Sequence, residues 1–127
     1  MVPEDLKYTQ EHEWVARTGD DTVRVGITDF AQTQLGDVVF VQLPEPGERV
    51  STGQAIGEVE STKSVSDLFS PLDGVVLTRN EALDSQPELV NAAPYGDGWM
   101  IELRVTTPGA VDGLLDATAY QKLTEQG

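Results

Sequence analysis

GEVESTKSVSDLFSPLDGVV, residues 57–76, reads as two strands folded back on one another and led into a third. Ala55 to Glu60 and Ser64 to Phe69 are strand-like, and Thr62 and Lys63 lie at the tip between them. Pro71, Asp73 and Gly74 supply turn chemistry, after which Val75 to Thr78 resumes the strand. Tight hairpin tips favour Asn-Gly, Asp-Gly or a leading glycine, because positive φ is easily reached by those residues. A β-branched threonine beside a lysine suits such a tip poorly. Two readings follow from residue chemistry alone. One is an ordinary solvated turn lysine, the commoner outcome for this residue type. The other is a flexible amine held far from the core on a stiff hairpin, as a tethered cofactor requires.

Upstream, Thr22 to Ile27 places Val23, Val25 and Ile27 on one face, and Gly19, Asp20 and Asp21 precede it as a turn, predicting a hairpin with Glu13 to Arg17. Thr28 is suited to cap a short helix bearing Phe30, Ala31, Gln34 and Leu35, closed by Gly36. Val38 to Leu43 is strand-like and is stopped by Pro44, Pro46 and Gly47. Beyond Val50, Ser51 to Gly53 forms a turn. Downstream, Met100 to Val105 is the last clear strand. Thr107 and Pro108 resemble an N-cap with proline at N1, and Asp116 is placed to cap a final helix using Tyr120 and Leu123. A faint repeat relates Gly36–Val39 plus Ala55–Val59 to Asp73–Val76 plus Trp99–Leu103, with Lys63 at the junction.

At 127 residues the chain fits one domain, 1–127, which buries roughly two thirds of the surface exposed when unfolded. No apolar run approaches the roughly 18 residues that suggest a membrane span, so no membrane partner is expected. Eight Lys+Arg against 22 Asp+Glu give a formal charge of -14, which argues against nucleic acid as a partner. The same charge serves solubility or docking to a basic protein. With no cysteine there is no native disulfide, thiolate nucleophile or Cys-ligated metal, so any thiol chemistry has to be imported. The first residues resemble neither a signal nor a transit peptide, and a bacterial-type cytoplasmic location is expected.

The 57–76 segment closely resembles the lipoylation segment of the glycine cleavage H proteins. YTQEHEW at 8–14, VGITDFAQTQLGDVVFVQLPEPG at 25–47, LVNAAPYGDGWM at 89–100 and LLDATAYQKL at 114–123 resemble the same family in the same order. The resemblance implies a mainly β fold, a flattened β-barrel or sandwich hybrid of the lipoyl-domain type with a displayed lysine hairpin and short helices, one of them C-terminal. It implies (R)-lipoate covalently bound to Lys63 in a carrier that is not itself an enzyme. The implied cargo is the aminomethyl group, taken from the glycine decarboxylase (P protein) to the aminomethyltransferase (T protein), with the reduced dithiol going to dihydrolipoyl dehydrogenase (L protein). A lipoylating enzyme completes the partners. By the same resemblance Glu60 and Gly74 match positions associated with recognition by that enzyme, and Glu13 and Asp67 match acidic positions that hold the loaded arm. Solvated or turn roles for these four stand beside those readings.

His12 is the single histidine, too few for a triad or metal cluster, and a structural hydrogen bond is its expected role. Trp14 and Trp99 are expected to pack near the lysine hairpin, and the Pro94, Gly96, Gly98 loop to lie near the arm. Glu11 and Phe30 depart from residues common in the family. Competing functions are a lipoyl domain of a 2-oxoacid dehydrogenase, a biotin carrier, whose lysine is typically flanked by methionines rather than Thr62 and Ser64, and an unmodified interaction module or lipoyl relay.

Overall fold

In the computed structural model, residues 2–126 are described. Strands β1 (Lys7–Tyr8), β2 (Glu13–Arg17) and β3 (Thr22–Ile27) form an antiparallel meander, with Trp14 opposite Gly26 and Val15 opposite Val25. Alternation along β2 sends Val15 to one face and Trp14 to the other. Both are buried, because both faces of this sheet are covered. Gly26 permits the tryptophan face to pack closely: a Cβ there would lie 2.7 Å from the Trp14 ring.

Helix α1 (Asp29–Leu35) follows, with Thr28 Oγ1 accepting from the Ala31 N–H and Gly36 closing it at φ 86°, a conformation that favours glycine. Then come β4 (Val38–Gln42), β5 (Arg49–Val50), β6 (Ala55–Ser61), β7 (Val65–Phe69) and β8 (Gly74–Arg79). Two short helices, α2 (Ala82–Ser85) and α3 (Leu89–Ala92), precede β9 (Ile101–Val105) and the C-terminal α4 (Ala117–Gln126). The sheets are ordered β1-β2-β3-β9-β8-β5 and β4-β6-β7. The mainly β architecture, the lysine hairpin and the short helices are as expected, and the two sheets stay separate rather than closing into a barrel.

Val15, Val23, Val25, Val76 and Leu103 of the larger sheet join Val38, Val41, Val59 and Leu68 of the smaller in one apolar core. Each such burial contributes roughly 1.5–3 kcal/mol. On the other face of the larger sheet Tyr8, Trp14, Ala117 and Tyr120 form a second cluster, which docks α4. Both tryptophans belong there, Trp99 packing against it from the edge, rather than beside the lysine hairpin. Asp116 Oδ1 accepts from the Ala119 N–H at 2.8 Å and starts α4. Thr107, by contrast, makes no side-chain cap bond, and Pro108–Gly113 is a single 3-10 stretch rather than a capped α-helix.

The two copies of the faint repeat become antiparallel pairs, β4 with β6 and β8 with β9, one in each sheet. Each pair is bulged, at Val39 and at Leu77. The β4 bulge breaks alternation: Val38 and Val41 point into the core while Val39 and Phe40 are both exposed.

Candidate functional site

The hairpin of β6 and β7 pairs Glu60 with Val65, Val59 with Ser66 and Glu58 with Asp67. Its tip is built by Ser61, whose backbone N–H donates to the Ser64 carbonyl at 2.8 Å and whose Oγ accepts from the N–H groups of Lys63 and Ser64. A side-chain oxygen thus takes the part that a glycine turn plays elsewhere, which explains how Thr62 and Lys63 are accommodated there. Thr62 N–H donates to the Asp37 carbonyl at 3.0 Å, tying the tip to the segment after α1.

Lys63 is exposed, and its aliphatic stem runs beside Gly36, where a Cβ would lie 3.0 Å from Lys63 Cε. Glycine at the end of α1 therefore leaves room for that stem. The corner is fixed by Asn91 of α3, which donates to Gly36 O and Gln32 Oε1 and accepts from the Val38 N–H, all at 2.8–2.9 Å. Asn91 lies inside the quoted LVNAAPYGDGWM block, but nothing local marks it as the brace of the lysine tip.

Between α1, the start of β2 and the outer edge of β7 lies a cleft of about 500 Å³, lined by His12, Glu13, Phe30, Leu35, Val59 and Asp67 among others. Glu13 is buried, at 2% exposure. Its Oε2 accepts the Phe69 N–H at 2.8 Å and its Oε1 the Thr9 hydroxyl at 3.3 Å. Thr9 Oγ1 itself accepts from the N–H groups of Glu11 and Glu13, so its one proton is directed to the carboxyl. Burial pushes the Glu13 carboxyl up to about 8 against the lowering effect of the Phe69 and Thr9 bonds, with Glu11 adding to the rise. It is a predominantly neutral acid at pH 7.

Asp67 stands differently. The ladder puts it in one row with Gln42 and Glu58, on the face away from Val59, so it is an exposed residue at the rim of the cleft. Glu60 is exposed beside the tip, paired with Phe40 on one side and Val65 on the other. Gly74 is buried in the larger sheet, where a Cβ would collide with the Arg104 carbonyl. It is the first residue of β8 and has no positive φ, so close packing on β9 is what requires glycine there.

His12 takes the left-handed conformation at φ 66°, and its Nδ1 lies 2.9 Å from the Tyr120 hydroxyl. That hydroxyl also bonds Thr28 Oγ1 at 2.7 Å, and the His12 ring packs on Phe30 at 4.8 Å between centroids. Burial lowers the His12 imidazole, Glu11 opposing, which favours the neutral ring. The structural hydrogen bond expected for His12 is present. The Pro94–Gly98 loop accepts the Trp14 indole N–H at Pro94 O and packs on the second cluster.

The sequence profile of the glycine cleavage H-proteins matches residues 6–127. The chain belongs to the glycine cleavage H-protein family. It is 59% identical to the glycine cleavage system H protein of Mycolicibacterium smegmatis and 56% identical to that of Mycobacteroides abscessus, over 98% of both chains in each case. It also superposes on the crystal structure of a glycine cleavage system H protein from Mycobacterium marinum with a TM-score of 0.89 at 46% identity, covering 98% of this chain and 99% of that one. Family membership places the chain in the glycine cleavage system as a carrier component.

Proposed function

We propose that residues 1–127 act as one lipoyl-carrier unit, with (R)-lipoate in amide linkage to Lys63 and no catalytic reaction of its own. The observation that carries this is a displayed lysine whose stem passes beside Gly36 at the end of α1, next to the cleft. As the free amine, Lys63 Nζ forms the amide with an activated lipoyl carboxyl group, losing one proton as the leaving group departs. The bound group supplies a disulfide that accepts the aminomethyl unit from the glycine decarboxylase, presents it to the aminomethyltransferase, and is reoxidised as a dithiol by dihydrolipoyl dehydrogenase.

The chain's own residues then have two tasks. The tip holds the attachment point at a fixed place, so that transfer draws on a high local concentration rather than free diffusion. The cleft shelters the cargo amine. Glu13 offers a protonated carboxyl in a buried setting and can pass that proton to the amine nitrogen, leaving a carboxylate that pairs with the resulting ammonium. Once protonated, the nitrogen has no lone pair with which to expel the sulfur. Asp67, at the rim, adds a second negative charge from outside.

Reconstitution with the three partner enzymes tests the reading. Wild type is expected to support glycine-dependent NADH formation and Lys63→Arg none, since a guanidinium cannot form the lipoyl amide. Full activity of Lys63→Arg would overturn it.

A further inference from the structure

Four large apolar residues are exposed among the described residues: Val39 at 48%, Phe40 at 53%, Val65 at 56% and Leu77 at 36%. Single exposed apolar residues are common and need no explanation. Here, however, three of the four belong to the small sheet that carries Lys63, and only Leu77 lies elsewhere. Phe40, Glu60 and Val65 are paired in one row across β4, β6 and β7, and Gln42, Glu58 and Asp67 make up the row two residues along on the same face. Val39 joins them only because the bulge turns it outward. Over these strands and the tip, Lys63 is the single cation, while Glu58, Glu60 and Asp67 are exposed acids.

We propose that this outer face, where Glu58 and Glu60 of the central strand run between Val39 and Phe40 on one side and Val65 and Asp67 on the other, is the docking surface for the enzyme that acylates Lys63. The inference rests on the carrier reading above. The free Lys63 amine reaches no further than its own side chain, so the enzyme that modifies it must press against the neighbours of the tip. Partners that work on the far end of the finished arm are under no such constraint. Apolar side chains flanking a row of carboxylates fit a protein surface that sets Lys/Arg side chains between apolar contacts, a combination in which the charges steer and the desolvated apolar contacts hold. Glu60 takes part as a member of this face, whereas Gly74, in the other sheet, contributes through packing only.

The test uses the full-length unmodified protein, lipoate, ATP and a lipoate–protein ligase, with lipoylation followed by mass. Phe40→Ser with Val65→Ser is expected to raise KM for the protein tenfold or more while kcat and the thermal midpoint stay at wild-type values. Leu77→Ser, also an exposed apolar position but on the other sheet, should leave KM unchanged. A KM within twofold of wild type for the double variant would overturn the proposal. So would an equal rise for Leu77→Ser, or a defect confined to the aminomethyl-transferring partners. Failure of the wild-type protein to accept any lipoyl group would instead remove the carrier reading itself.

Discussion

At the scale of single residues, Glu13 is the most informative side chain. Its folded value near 8 lies above the usual carboxylate value of 4.5, so between those pH values the folded protein binds more protons than the unfolded chain. Stability attributable to it is therefore full below about pH 4.5, falls as pH rises, and levels off above about 8. A tenfold change in proton affinity on folding corresponds to about 1.4 kcal/mol. Urea unfolding at about pH 5, 6.5, 8 and 9 should show wild type losing stability relative to Glu13→Gln through that window, and parallel pH curves would contradict the buried-acid account. The same substitution should speed ammonia release from the isolated, aminomethyl-loaded protein without affecting lipoylation of Lys63. Asp67→Asn, altering an exposed rim residue, should add a smaller increase. Ammonia release at the wild-type rate in the double variant would make both residues bystanders.

At the scale of elements, α1 and α4 are joined through one hydroxyl. Tyr120→Phe removes the bonds to Thr28 and His12 while preserving the ring that stacks on Tyr8 at 4.7 Å. A loss of roughly 1–2 kcal/mol in urea unfolding is expected, and an unchanged midpoint would show that the hydroxyl does not brace the two helices. Elements whose signal is local were legible in the sequence: the β2–β3 hairpin, the lysine hairpin, the Thr28 cap and the Asp116 cap. The two-residue strands β1 and β5 are too short to show a period, and α2 and α3 begin at Glu81 and Glu88 without a side-chain cap bond. The site was legible only in part. Lys63 stands out by its unsuitability for a turn, and resemblance points to Glu13, but the backbone N–H that Glu13 accepts is that of Phe69, 56 residues away. Likewise His12 finds its partner 108 residues along the chain, a pairing that no spacing reveals.

At the scale of the whole molecule, a net charge of -14 surrounds a single displayed cation at the hairpin tip. Long-range steering of basic partners is screened beyond a Debye length of about 8 Å at physiological ionic strength. Association rates with the partner enzymes should fall as salt is raised from low to physiological values, and a flat profile would refute electrostatic steering. Acylation of Lys63 would neutralise that cation and is expected to leave the fold untouched, since exposed positions away from special features shift stability by no more than about 0.5 kcal/mol. Intact mass after expression with a functioning lipoylation pathway tests the carrier assignment most directly. One lipoyl increment is expected on the wild-type chain and none on an equally well-folded Lys63→Arg. A biotinyl increment, no increment on wild type, or a lipoyl increment that persists in Lys63→Arg would contradict it.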